Sequence, residues 1–157
     1  MELVGRETPG KSALRRCRHS MASQIYLLTT VTHGRKPLFI NRELATATCR
    51  LIGQPSLWRG SQLLCWVLMP DHWHGIVELG SYEPLSELMR RFKSVTATEV
   101  NRDRRAHGAV WASGYHDHAL RYEEDLVGVA RYVVANPLRA ELVTRIGDYP
   151  YWDAVWL

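Results

Sequence analysis

The chain is short of cysteine and of long apolar runs, and each shortage excludes something. Cys17, Cys49 and Cys65 are odd in number and widely spaced, which argues against a disulfide framework or a CxxC zinc site and for a reducing, cytoplasmic compartment. The longest uncharged apolar run, Leu63 to Pro70, falls far short of the ~20 residues that a membrane span needs. No membrane is therefore expected among its partners. The N-terminus is polar and basic, without the apolar core of a signal peptide. There is no internal repeat and no low-complexity segment. What remains is 157 residues, 46% hydrophobic and 23% charged, which suits one folded domain with its own core.

Charge is modest in total but uneven. The net value is +4, yet residues 1–50 hold nine Lys/Arg against three Asp/Glu, so the remainder is slightly acidic. A basic lead-in with Arg15, Arg16 and Arg18 suits phosphate backbones, where each neutralised phosphate releases counterions. Charge alone leaves a second reading open, a solvated basic tail.

The most informative stretch is Trp66 to Glu78. It reads as a β-hairpin: the apolar strand Gln62 to Met69, a Pro70-Asp71 turn, and a strand from His72 to Leu79. Side chains alternate along a strand, so His72 and His74 share one face and Trp73 takes the other. Gly75 leaves room for a close approach by backbone or ligand. Before the hairpin, Gln24 to Thr32 reads as a strand, and a helix from Asn41 as N-cap runs to Gly53, with Leu44, Thr48, Leu51 and Ile52 inward. After it, Ser81 to Arg105 reads as a long helix with the stripe Leu85, Leu88, Met89, Phe92, Val95 and Val100. Arg90, Arg91 and Lys93 lie off that stripe, as a solvated face or a nucleic-acid contact. Tyr115 to Arg121 reads as a fourth strand. A final helix, with Glu123, Glu124 and Asp125 at its start, runs to Asn136 and stops at Pro137.

This order predicts an α+β fold: a ferredoxin-like β-α-β-β-α-β sandwich with an antiparallel sheet, helices on one face, and an additional C-terminal helix. The first and third strands are then central. The expected organisation is a basic arm over 1–22, a single domain over 23–146 and a tail over 147–157.

Two His-x-His pairs exist, His72/His74 and His116/His118. Spacing alone treats them alike, as metal ligands or as packed or surface histidines. Tyr132 and Asn136 are four apart, at the border of the buried stripe Leu126, Val129, Ala130 and Val133. Asn136 can supply an oxygen to a metal held by a histidine pair, or it can simply end the helix beside a half-buried tyrosine.

Several separate stretches together resemble a known family. His72-Trp73-His74 after Met69-Pro70-Asp71, and Arg131-Tyr132-Val133-Val134-Ala135-Asn136-Pro137-Leu138-Arg139-Ala140, resemble the single-tyrosine HUH transposases of the IS200-like kind. Arg18-His19-Ser20, Tyr26 to Thr32, Lys93-Ser94 and Trp111 to Arg121 resemble the REP-associated tyrosine transposases within them. The resemblance covers roughly residues 15–145. Glu141 departs from it, because relatives commonly carry glycine there.

The resemblance implies a metal-dependent DNA transesterase. Tyr132 would be the nucleophile, and His72, His74 and Asn136 would hold Mg²⁺ or Mn²⁺. The partner would be single-stranded DNA beside REP-like palindromic hairpins, handled by a homodimer. Arg15, Arg16, Arg18, Arg90 and Lys93 are the expected DNA contacts. Water, Asp117 and His118 stay open as the acceptor of the tyrosine proton. Two competing readings also stay open: a non-catalytic nucleic-acid-binding module on the same sheet, and a metal hydrolase that uses activated water.

Overall fold

A computed structural model describes residues 23–121 and 125–156. Arg15, Arg16, Arg18, Cys17, Glu123 and Glu124 lie outside those residues, as does the proposed arm over 1–22. The elements are β1 (Ile25–Val31), α1 (Arg42–Ile52), the short α2 (Pro55–Trp58), β2 (Gln62–Met69), β3 (His72–Glu78), α3 (Leu85–Asp103), β4 (His116–Ala119), α4 (Leu126–Val134), the one-turn α5 (Asn136–Arg139) and β5 (Trp152–Ala154). The sheet is antiparallel in the order β4-β1-β3-β2-β5, so β1 and β3 are interior, as the ferredoxin-like reading expects. Among the described residues no helix is long and apolar enough to cross a membrane.

Alternation sorts the sheet into two faces, and each face has its own core. Tyr26, Leu28, Trp66, Leu68, Trp73 and Val77 point to one side and pack with α1 and α3. Cys65, Val67, Met69 and Ile76 point to the other and pack under Ala130, Val133 and Val134 of α4. Helices therefore cover both faces rather than one. An apolar residue at nearly every position of β2 is what a strand buried on both sides requires; six consecutive residues of it are buried.

Trp73 anchors β3 in the larger core. Its side chain is 0% exposed, with ring centroids 4.4 Å from Phe92 and 6.2 Å from Trp58. Its indole also explains Gly75, because a Cβ at that position would collide with the Trp73 ring. The space left by the missing side chain is thus filled from within the same strand and not by a ligand. The hairpin turn is latched from outside as well. The carbonyl of Asp71 accepts from Thr32 through its backbone N at 2.9 Å and its Oγ1 at 3.1 Å, and Pro70 O accepts from Phe39 N at 3.0 Å.

Local chemistry sets most boundaries. Asn41 caps α1 by accepting from the backbone N of Glu43 and Leu44, as its residue type predicts. The long helix begins at Leu85 rather than Ser81, after Pro84 in extended conformation. On its face Val95 is exposed and Thr96 is buried, because Thr96 Oγ1 accepts the indole N–H of Trp111 at 2.8 Å.

The largest correction concerns the C-terminal region. The last long helix stops at Val134, and Asn136–Arg139 forms a separate turn with Pro137 inside it instead of beyond the end. Proline is tolerated in the first turn of a helix because its missing N–H has no partner there anyway. Glu141 closes this turn at φ 56°, the left-handed region that favours glycine. The tail is also more ordered than a tail: Trp152–Ala154 pairs with β2, and Tyr149 donates its hydroxyl to Leu68 O at 2.6 Å.

Replacing Trp73 by alanine is expected to cost about 3–5 kcal/mol, as for other large aromatic truncations in cores. Urea denaturation of Trp73→Ala beside wild type checks it, and a loss under 1 kcal/mol contradicts the anchoring role.

Candidate metal and nucleophile site

The candidate histidines stand on the face of the sheet opposite α1 and α3. His72 and His74 project from β3 with ring centroids 4.7 Å apart and planes at 80°. Each ring is held by a hydrogen bond at Nδ1. His72 Nδ1 lies 2.7 Å from Asp71 Oδ1, and His74 Nδ1 lies 2.7 Å from Thr29 Oγ1 on the neighbouring strand. A carboxylate only accepts, so His72 donates from Nδ1, and the neutral form of that ring carries its lone pair on Nε2. Arg35 Nε in turn holds the other oxygen of Asp71 at 3.3 Å. Such outer partners fix ring orientation and tautomer in metal sites.

Electrostatics acts on His74. Burial, then the neighbouring His72, then Arg139 and Arg35 push the His74 pKa down to about 4. At neutral pH the ring is therefore uncharged, which is the form that binds a metal.

The third candidate donor lies in the turn after α4. Asn136 Nδ2 donates to Val133 O at 2.9 Å, which leaves the amide oxygen Oδ1 as its metal-capable atom. Among the described residues no three His, Cys, Asp or Glu side chains form a metal cage. Two imidazole nitrogens with an amide oxygen nonetheless fit a divalent ion, and nitrogen donors favour Mn²⁺ over Mg²⁺. Tyr132, on α4, is 64% exposed, and the Arg139 guanidinium carbon lies 3.7 Å from its ring centroid.

The second histidine pair is on the same face. Strand register sets His116 beside Thr29, and Thr29 beside His74; His118 sits beside Leu27 in the row below. Directly opposed residues share a face, so β4 extends the histidine row to the edge of the sheet.

Two expected DNA contacts are described. Arg90 is exposed and paired with Glu87 at 2.7 Å. Lys93 is half-buried and donates to Ala112 O at 2.6 Å and Gly114 O at 2.8 Å. It thereby ties α3 to the loop that leads into β4, so Lys93 and the Trp111 to Arg121 stretch are two halves of one contact. Both cations rise from α3, the layer on the far side of the sheet from His72 and His74. Residues that pattern reading missed are Thr29, Arg35, Asp71 and Arg139. Only Asp71 carried a signal, being next to His72 in the turn.

Residues 20–136 match the model of the family described as transposase IS200-like, and the chain belongs to that family. Within it, the fold is similar to that of a REP-associated tyrosine transposase solved bound to a REP hairpin, with TM-score 0.67, 17% identity, and coverage of 86% of this chain and 79% of that one. A structure named as a transposase of Deinococcus radiodurans R1 is similar at TM-score 0.50 and 15% identity, over 73% of this chain and 92% of the other. An uncharacterised protein of Haemophilus influenzae is 23% identical over 95 residues, and the chain spans about half of its length, 52%.

Two outcomes follow from this geometry. Between about pH 4 and 6.5 the unfolded His74 takes up a proton that the folded one refuses, so the metal-free protein loses stability as pH falls through that window. Thermal melts from pH 7.5 to 4.5 should drop further for wild type than for His74→Gln; parallel curves contradict the assignment. Asp71→Ala should weaken Mn²⁺ binding about 10–100-fold by calorimetry, the usual cost of losing such an outer partner, and unchanged affinity would remove Asp71 from the site.

Proposed function

We propose that this chain is a DNA strand transferase that cleaves and rejoins single-stranded DNA at or near REP-like hairpins through Tyr132. The carrying observation is the His72/His74 pair, each ring held through Nδ1, on the sheet face that α4 covers while α4 presents an exposed tyrosine. His72, His74 and Asn136 would hold Mg²⁺ or Mn²⁺. When bound, such an ion draws charge from a non-bridging phosphate oxygen and steadies the charge built up during displacement.

The residues themselves account for the rest. The Tyr132 phenolic oxygen forms a bond to phosphorus, and the bond from phosphorus to the 3′ oxygen breaks. That oxygen leaves as a 3′-hydroxyl after taking a proton, and the strand stays attached as a 5′-phosphotyrosine. The phenol proton passes to water, to which the exposed ring is open. The phosphotyrosine ester conserves the bond, so a 3′-hydroxyl can reverse the step and join strands. The REP-associated neighbour was solved with a REP hairpin, which supports hairpin DNA as the substrate here. Two copies acting together on one hairpin fit this reading.

The non-catalytic alternative needs aromatics on the central strands for base stacking. Tyr26, Trp66 and Trp73 are all buried under α1 and α3, so β1, β2 and β3 offer no such platform.

The test is a denaturing gel of labelled hairpin DNA with single-stranded flanks, in Mn²⁺ or Mg²⁺. Wild type should give a covalent protein–DNA adduct and Tyr132→Phe none, with hairpin binding retained. Cleavage that survives in Tyr132→Phe would favour activated water, and the absence of both cleavage and adduct in wild type would overturn the proposal.

A further inference from the structure

We infer that Arg139 is a phosphate-binding residue that seats the scissile phosphodiester of a DNA strand beside Tyr132. The inference rests on the strand-transferase reading for its substrate, but its geometry is independent of it.

The break after Val134 is what makes the arrangement. Asn136–Arg139 restarts as a separate turn, with the Arg139 backbone N donating to Ala135 O at 3.1 Å. Side chains on a helix lean toward its N-terminus, so Arg139 reaches back over α4 and lays its guanidinium on the Tyr132 ring, 3.7 Å from the centroid. Stacking of this kind uses only the flat face of the guanidinium. Its five N–H groups lie in the plane, at the edge, and no described residue accepts a hydrogen bond from them. Arg35, by contrast, is held by Asp71, and Arg91 by Glu83 and Leu57 O.

A stacked guanidinium with an unspent edge is built for an anion with several oxygens, which it meets through paired charge-assisted bonds. Its position selects which anion. One side of Arg139 is the ring of the nucleophile. A phosphate gripped by the free edge of Arg139 therefore lies beside the attacking phenol. Arg139 forms and breaks no covalent bond; it donates hydrogen bonds to non-bridging oxygens and holds the Tyr132 ring in place by stacking on it.

The test uses the full chain and a fluorescent hairpin with single-stranded flanks. Hairpin affinity is measured against salt, and adduct formation is measured in a single turnover at saturating DNA. Each phosphate contact on a single strand contributes a slope of about −0.7 in log affinity against log salt. Arg139→Gln should reduce the steepness of that slope by about 0.7, and should slow adduct formation about 100-fold, as loss of one charge-stabilising donor does. Arg139→Lys should restore the slope but recover only part of the rate, since the charge returns without the planar fork. Tyr132→Phe, which keeps the ring, should leave the slope as in wild type. An unchanged slope in Arg139→Gln overturns the inference whatever happens to the rate, because a purely structural role predicts that result. If wild type forms no adduct, the strand-transferase reading fails, while the slope still decides whether Arg139 holds a phosphate.

Discussion

Everything at the site depends on the burial of Trp73. A strand offers its side chains to two faces in strict alternation, and an indole packed on Phe92 and Trp58 leaves β3 no freedom to slip or roll. With that one side chain fixed, its neighbours His72 and His74 must face the opposite way, side by side. The Thr32 bonds to the Asp71 carbonyl then fix the end of the hairpin from which His72 springs. The pair is therefore a property of the sheet and not of a loop, and rigid elements hold a metal geometry better than loops do.

A second theme is the management of charge. Burial, the neighbouring His72 and the charges of Arg139 and Arg35 together oppose protonation of His74. Positive charge here is unfavourable for imidazolium, but favourable for an incoming phosphodiester. Asp71 mediates between the two demands: it takes the proton-bearing edge of His72 with one oxygen and anchors Arg35 with the other. The arrangement keeps the His74 ring neutral beside cationic side chains.

Much of this was legible in the sequence, because the strongest signals there are local. The Pro70-Asp71 turn, the Asn41 cap and the doubly buried β2 are each set by a few adjacent residues, and the order of elements then made β1 and β3 central. What was not legible required contacts distant in sequence. Lys93 looked like a surface cation, since its spacing on α3 cannot reveal that it ends on carbonyls of residues 112 and 114. The register of the short edge strand β4, which aligns His116 with Thr29 and His74, depends on pairing that no periodicity encodes. The helix break at Ala135 was misplaced by two residues because proline is equally at home just beyond one helix and in the first turn of the next. That small error hid Arg139, whose place over Tyr132 exists only because the chain restarts there. The family resemblance implies His72, His74, Tyr132 and Asn136 as a set; the fold sets the two histidine rings side by side and lays Arg139 over the Tyr132 ring.

The central claim is that His72 and His74, rather than the look-alike pair on β4, hold the divalent ion through Nε2. Long-range ¹H–¹⁵N imidazole spectra of the protein titrated with Mn²⁺ test it most directly, because the paramagnetic ion broadens the nitrogens nearest to it. The account predicts that the Nε2 signals of His72 and His74 and the side-chain amide of Asn136 vanish first, at substoichiometric Mn²⁺. Selective loss of the His116 and His118 signals, with His72 and His74 untouched, would contradict it.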